Sequence, residues 1–281
     1  ATDAQADLTT YEILPAAYGL VFDREAALKA IDSASYGETV VIPMTYQTPE
    51  ILSDAIPFRD VLGHCETKHT DDENRNTNLR LVCEILDGYV LNPGEEFSYN
   101  ECLGERTEEK GYKPAAAYSS GKTVPTLGGG ICQVSSTLYY STLFADLEIL
   151  ERHSNGYAPG YIDKGLDAYI SYNSQDLKFV NTTGRPIRIA ARVTEAGALH
   201  IDFWGAINDE RTVDVVYETV NTYKPSTLYT VMLKDNPDGY EEGDVLIPGA
   251  TGYDIITYKI YYPTGTEEVT PPPAEGEDSE N

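Results

Sequence analysis

The residues of this chain best placed to do chemistry are Gly128-Gly129-Gly130-Ile131-Cys132-Gln133, three glycines and a cysteine running straight into a helical pattern. Glycine alone adopts positive φ freely and lets the backbone approach a ligand closely. A cysteine in a first helical turn feels the positive end of the helix dipole and its unpaired amides, which favour the thiolate. The same amides can hold the oxyanion of a tetrahedral intermediate. This predicts Cys132 as a nucleophile, against the plainer alternative of a small buried cysteine behind a packing loop. A thiol nucleophile also needs a base. His153, in the polar stretch ERHSNG that follows the helix, is the best placed of His64, His69, His153 and His200. Asp167 is the expected carboxylate to orient its ring, with Glu151 as second choice.

Other constellations are weaker. His64-Cys65-x-x-x-His69 places three metal-ligating residue types within reach of one ion, but no second cluster completes a four-ligand zinc site. A polar loop is the simpler expectation, and no metal or cofactor is assigned. Asp71-Asp72-Glu73 lacks the loop pattern of a calcium site and reads as a charge run before a helix. The glycine triplet lacks the Gly-Lys-Ser/Thr of a phosphate loop.

The elements that must position these groups follow from periodicity. Asp23 is placed to cap a short helix through Ala26–Ile31, and Thr39–Ile42 reads as a strand. Asn74–Gly88 carries Leu79, Val82, Cys83 and Leu86 at helical spacing, with Gly88 as its stop. Pro93-Gly94 marks a turn before a short strand. Gly128–Leu147 is the glycine-led helix, with Ile131, Val134, Leu138 and Ala145 along one face. After Gly156 the period changes to two: Ala168–Tyr172, Leu177–Val180, Pro186–Val193 and Leu199–Trp204 read as strands, the last two as a hairpin with His200 facing solvent. From Arg211 to Gly265 further alternating strands follow. Cys83 is expected to be a buried thiol, while Cys65 and Cys102 fall in loop-like stretches and are available for one disulfide.

With 281 residues the chain has room for two or three domains. Its 20 Lys+Arg against 46 Asp+Glu give a formal charge of −26, which argues against nucleic acid and anionic membrane as partners. No apolar run approaches the roughly 20 residues of a membrane helix, and no signal peptide opens the sequence, so a mature or trimmed part of a longer protein is expected. The 22 Tyr against 6 Phe suit wet, strand-rich surfaces. The segment Glu267–Asn281 holds six acids, no base and three consecutive prolines, the composition of a solvated spacer. Together these features favour a bacterial cell-surface protein.

NRNTNLRLVCEILDGYVLNPGEEFSYN, GYKPAAAY, GGGICQVSSTLYY, LEILERHSNG, GLDAYISY and DLKFVNTTGRPIRIAARV resemble the VanW family in order and spacing, over about residues 57–206. The resemblance implies an α+β domain of helices and antiparallel sheet on Gram-positive surfaces. It also implies L,D-transpeptidase activity on peptidoglycan tetrapeptide stems, through the cysteine matching Cys132, or else a non-catalytic wall-binding or spacer role. Within the family motifs Arg75 and Arg152 are the candidates for stem-peptide carboxylates, the alternative being structural ion pairs. Gly129, Gly130 and Gln133 join them as substrate-binding residues. Residues 1–56 resemble the end of a peptidoglycan-binding domain. Residues 207–265 resemble a divergent five-glycine extracellular β module, whose implied ligand is wall glycan, and 266–281 form the tail.

Overall fold

The structure is a computed structural model that describes residues 1–6, 13–42, 44–50, 57–119, 122–207, 211–225 and 249–263. Helices are α1 (Arg24–Ser33), α2 (Glu73–Leu86), α3 (Tyr99–Leu103) and α4 (Ile131–Phe144). Strands are β1 (Gln5–Ala6), β2 (Ile13–Leu14), β3 (Gly19–Phe22), β4 (Met44–Gln47), β5 (Asp60–Lys68), β6 (Val90–Leu91), β7 (Glu96–Ser98), β8 (Pro114–Ser119) and β9 (Lys122–Leu127). They continue as β10 (Glu148–Glu151), β11 (Lys178–Val180), β12 (Ile187–Val193), β13 (Ala198–Gly205), β14 (Arg211–Tyr223) and β15 (Gly252–Pro263). The fold class is α+β, as the sequence predicts.

The central sheet has the order β5-β13-β12-β6, antiparallel throughout. On one face β13 presents Leu199, Ile201 and Phe203, all fully buried, beneath α2 and α4. A smaller sheet, β10-β11-β7, continues the core through Phe97 and Phe179, whose rings stack at 4.8 Å. α2 starts where Asp72 accepts a hydrogen bond from the Arg75 amide at 2.8 Å, and chain reversal follows at Gly88, φ +82°.

α4 is the centre of the domain. It is buried on nearly every side, not along one stripe, because its polar side chains are satisfied internally. Thr137 bonds Thr67 of β5 at 2.9 Å, and Ser141 donates to the Ile201 carbonyl at 2.9 Å. Gly63 lets β5 approach closely: a Cβ there would collide with the Ser141 carbonyl of α4.

Several expectations are corrected. The stretch expected as a polar loop around Cys65 is the edge strand β5. Its alternation turns Cys65 and Thr67 inward and leaves His64 and Glu66 exposed. Cys65 and Cys102 are both free thiols, so no disulfide joins them. Ala168–Tyr172 forms no regular strand and holds only an isolated bridge between Ser171 and Gln175. Thr39–Ile42 is irregular, and the strand lies later, at β4, paired with β3. The acidic tail and the strand expected within residues 226–248 lie outside the described residues.

The β14–β15 hairpin packs on the domain. Lys259 Nζ lies 3.0 Å from Asp146 Oδ1, Tyr261 donates to the same carboxylate at 2.8 Å, and Thr257 donates to the Gly165 carbonyl at 3.2 Å. Among helices of the described residues, none is long and apolar enough to cross a membrane.

Candidate active site at the head of α4

The glycine triplet reaches α4 through two left-handed residues, Gly128 (φ +75°) and Gly130 (φ +104°), and no side chain caps the helix. Of its first-turn amides, that of Ile131 donates to the Gly128 carbonyl at 3.3 Å and that of Gln133 to the Gly130 carbonyl at 2.8 Å. Gly129 is required by space, since a Cβ would run into the Ala115 carbonyl of β8. At Gly130 a Cβ would stand 2.8 Å from Arg75 Cγ, so the Arg75 side chain lies directly across the loop.

α2 holds this loop in place. Asn78 is fully buried; its amide donates to the Gly129 and Lys113 carbonyls, each at 2.9 Å, and its oxygen accepts from the Lys113 amide at 2.8 Å. Arg75 Nη2 donates to Gln133 Oε1 at 3.0 Å. Gln133 in turn donates to Thr67 Oγ1 at 3.0 Å and the Lys68 carbonyl at 2.9 Å. Gln133, expected to bind substrate, thus spends its amide tying α2, α4 and β5 together. Arg75 Nε is buried with no partner.

Cys132 is half-buried in the first turn. Its thiol donates to the Ile170 carbonyl at 3.6 Å, and its own carbonyl accepts from Ser136 at 2.7 Å. Ser135 and Ser136 also bind Ala168, by 2.6 Å to its carbonyl and 2.9 Å from its amide respectively. The segment carrying Asp167 and Ile170 is so laced to the first two turns of α4. The expected depression of the thiol pKa is not found. Burial raises it; the nearby Arg106 and Arg75 charges pull the other way without overcoming the desolvation, and Asp167 adds to the rise.

His153 does not hydrogen-bond to Cys132. Its Nε2 lies 3.0 Å from Glu151 Oε1, while its backbone carbonyl accepts from the Tyr169 amide at 2.7 Å, one residue before the carbonyl that binds the thiol. Glu151, the second-choice carboxylate, is therefore the group that orients the ring. It also pairs with Lys178 at 2.9 Å, and the hydrogen bonds from Lys178 and His153 hold its carboxyl at about 2. Asp167 differs from the expected role because its oxygens are already engaged. They accept from Arg152 Nη2 at 3.0 Å and from the Asn155 amide and side chain, each at 2.6 Å. Arg152 also donates to the Asp167 carbonyl at 2.7 Å and covers the Tyr139 ring.

The predicted residues therefore fall into three neighbouring groups: Cys132 with Arg75, Gln133, Gly129 and Gly130; His153 with Glu151; and Arg152 with Asp167. Sequence reasoning missed Arg106, which donates to Asn100 Oδ1 at 2.7 Å and lies over the Tyr172 ring, with Nε buried and unpartnered. A cavity of about 620 Å³ opens beside the third group, between Arg152, Asn155, Lys164 and Asp167 on one side and Tyr253 and Ile255 of β15 on the other.

A family model described as VanW like protein matches residues 74–204. The chain is 31% identical over 189 residues to the uncharacterized protein YoaR of Bacillus subtilis (strain 168), covering 64% of this chain and 61% of that protein. It is 29% identical over 164 residues to the vancomycin B-type resistance protein VanW of Enterococcus faecalis (strain ATCC 700802 / V583), covering 57% and 54%. The matches thus span 61% and 54% of these relatives' own lengths. No solved structure matches the chain.

Proposed function

Residues 74–204 are a VanW-like domain, and we propose that it acts at the bacterial cell surface on the peptide stems of peptidoglycan, as a cysteine acyltransferase of the L,D-transpeptidase type. The observation that carries this reading is the setting of Cys132: the uncapped head of α4, with Arg75 and Arg106 both favouring its thiolate. The name of the Enterococcus relative, a vancomycin B-type resistance protein, supports a wall target.

In this reading Cys132 Sγ attacks the carbonyl joining the third stem residue to the terminal D-alanine. The C–N bond breaks, D-alanine leaves with the proton that began on the thiol, and a thioester remains. An amine of a neighbouring stem then attacks the thioester, forming the cross-link and returning a proton to sulfur; water in its place releases a trimmed stem. With Nε2 held by Glu151, His153 has Nδ1 left to carry the proton. Arg75, lying across the Gly130 loop, and Arg152, at the 620 Å³ cavity, are the groups for stem carboxylates. The β14–β15 hairpin, part of the proposed module 207–265, would contribute wall-glycan contacts.

A second reading, a non-catalytic wall-binding or spacer protein, is favoured by the raised thiol pKa and by the Ile170 carbonyl as its partner. Incubation with purified muropeptides, followed by mass analysis, separates the two. Dimers or released D-alanine that disappear in Cys132→Ala support the enzyme. Saturable muropeptide binding without turnover, equal in both proteins, supports the second reading.

A further inference from the structure

The outer face of the central sheet, turned away from α4, carries an arrangement that the cysteine chemistry does not use. On β5, His64 and Glu66 stand two residues apart and so project on one face. On β13, His200 lies directly opposite Glu66 and Asp202 directly opposite His64. One donor atom from each of His64, Glu66 and His200 lies within 4.8 Å of the others.

We propose that His64, Glu66 and His200 form a binding site for a divalent transition metal of the zinc class. Two imidazoles and one carboxylate, with a coordination position left to water, are a donor set that suits such an ion. His200 Nδ1 is sealed from solvent without a hydrogen bond, and the nearest acid, Glu66 Oε2, stands at 3.5 Å. A buried polar atom without a partner is costly, and a metal bond would satisfy it.

The surroundings orient the ligands as metal sites require. His64 Nδ1 contacts the Asp202 carboxylate, which leaves Nε2 of that ring for the ion. Asp202 is itself fixed by Arg192 Nη1 at 3.1 Å. This is the relay of carboxylate behind histidine that sets ring orientation at metal centres. Zinc bonds of about 2.0–2.1 Å require the three donors to draw together by roughly an ångström. Rotation of the exposed His64 and Glu66 side chains supplies that movement. The pattern His64-Cys65-x-x-x-His69, which reads in the sequence as a polar loop, shares only His64 with this set: strand alternation sends Cys65 to the core, and His69 bonds the Thr70 carbonyl.

The test is titration of the chelator-treated full chain with zinc, and with cobalt for its absorption spectrum. One equivalent should bind saturably, with a cobalt spectrum of nitrogen and oxygen ligation and a raised melting temperature. His64→Ala and Glu66→Gln alter exposed residues and should each weaken binding at least tenfold; His200→Ala should abolish it. Asp202→Asn, a positioning change, should weaken it about 10–100-fold. Absence of a saturable single site, or a site whose affinity is unchanged in both His64→Ala and Glu66→Gln, overturns the proposal.

Discussion

His153 Nε2 lies 3.0 Å from Glu151 Oε1, two residues earlier on the chain, so the imidazole of the ERHSNG stretch is anchored to β10 and not to the cysteine helix. The same carboxylate receives Lys178 from across the β10–β11 pair and the Asp176 amide at 3.1 Å. Glu151 therefore acts as a node that fixes where the ring stands.

That node sets a pH dependence. The Glu151 carboxyl is lowered from 4.5 to about 2, by the Lys178 and His153 hydrogen bonds first. A depressed acid contributes stability that is present above its unfolded value and lost as pH falls through the folded one. The window is thus from about 4.5 down to about 2. Acid unfolding of Glu151→Gln should show a shallower loss of stability across that window than the parent chain. Equal slopes would remove Glu151 from the linkage.

The glycine loop gives a graded pair of substitutions. Gly129→Ala drives a Cβ to 2.2 Å from a backbone carbonyl oxygen, whereas Gly130→Ala brings one to 2.8 Å from Arg75 Cγ, a side-chain atom. The φ of +104° at Gly130 still imposes strain of about 1–3 kcal/mol. Denaturant titration should place Gly129→Ala below Gly130→Ala in stability, both below the parent. The reverse order would mean that β8 yields more easily than the Arg75 side chain.

Asn78→Ala should cost about 2–3 kcal/mol, because it strands the Lys113 amide and the Lys113 and Gly129 carbonyls together. Asn78→Asp should also destabilise, since an ionised carboxylate cannot donate to either carbonyl. Urea unfolding of the two variants measures this directly. A loss below the noise in both would show that water replaces the clasp.

Much of this architecture was legible in the residues. Leu79, Val82, Cys83 and Leu86 announced α2 because a buried apolar stripe has a helical period, and Gly128–Gly130 announced the approach to α4. The strand β5 was not legible. Its inward residues are Gly63, Cys65 and Thr67, chosen for closeness to α4 and for a hydroxyl pair, so the usual apolar alternation is missing. The partner of His153 is not legible for a different reason. Glu151 and Asp167 are both near in sequence, and only the β10–β11 pairing and the Arg152–Asn155 contacts decide which reaches the ring. Arg106 gave no signal, being one basic residue in a polar stretch; only the fold brings it to Cys132.

The sharpest prediction concerns the resting thiol. Burial raises the Cys132 pKa above its ordinary 9.0, so the free protein holds a neutral S–H directed at Ile170. Alkylation proceeds through the thiolate. Its rate at Cys132, followed by site-resolved mass spectrometry, should therefore still be climbing at pH 9. Cys65 and Cys83 are more deeply buried, with thiols pushed up to about 12, and should label more slowly than Cys132 at every pH below unfolding. Arg106→Gln removes a charge that favours the thiolate and should slow Cys132 labelling further at a given pH, whereas Lys178→Gln, which acts on Glu151, should leave it unchanged. If binding of a muropeptide accelerates labelling or consumes the thiol as a thioester, substrate itself completes the activation that the free site lacks. Rapid alkylation near neutral pH without any ligand would contradict the buried, neutral thiol.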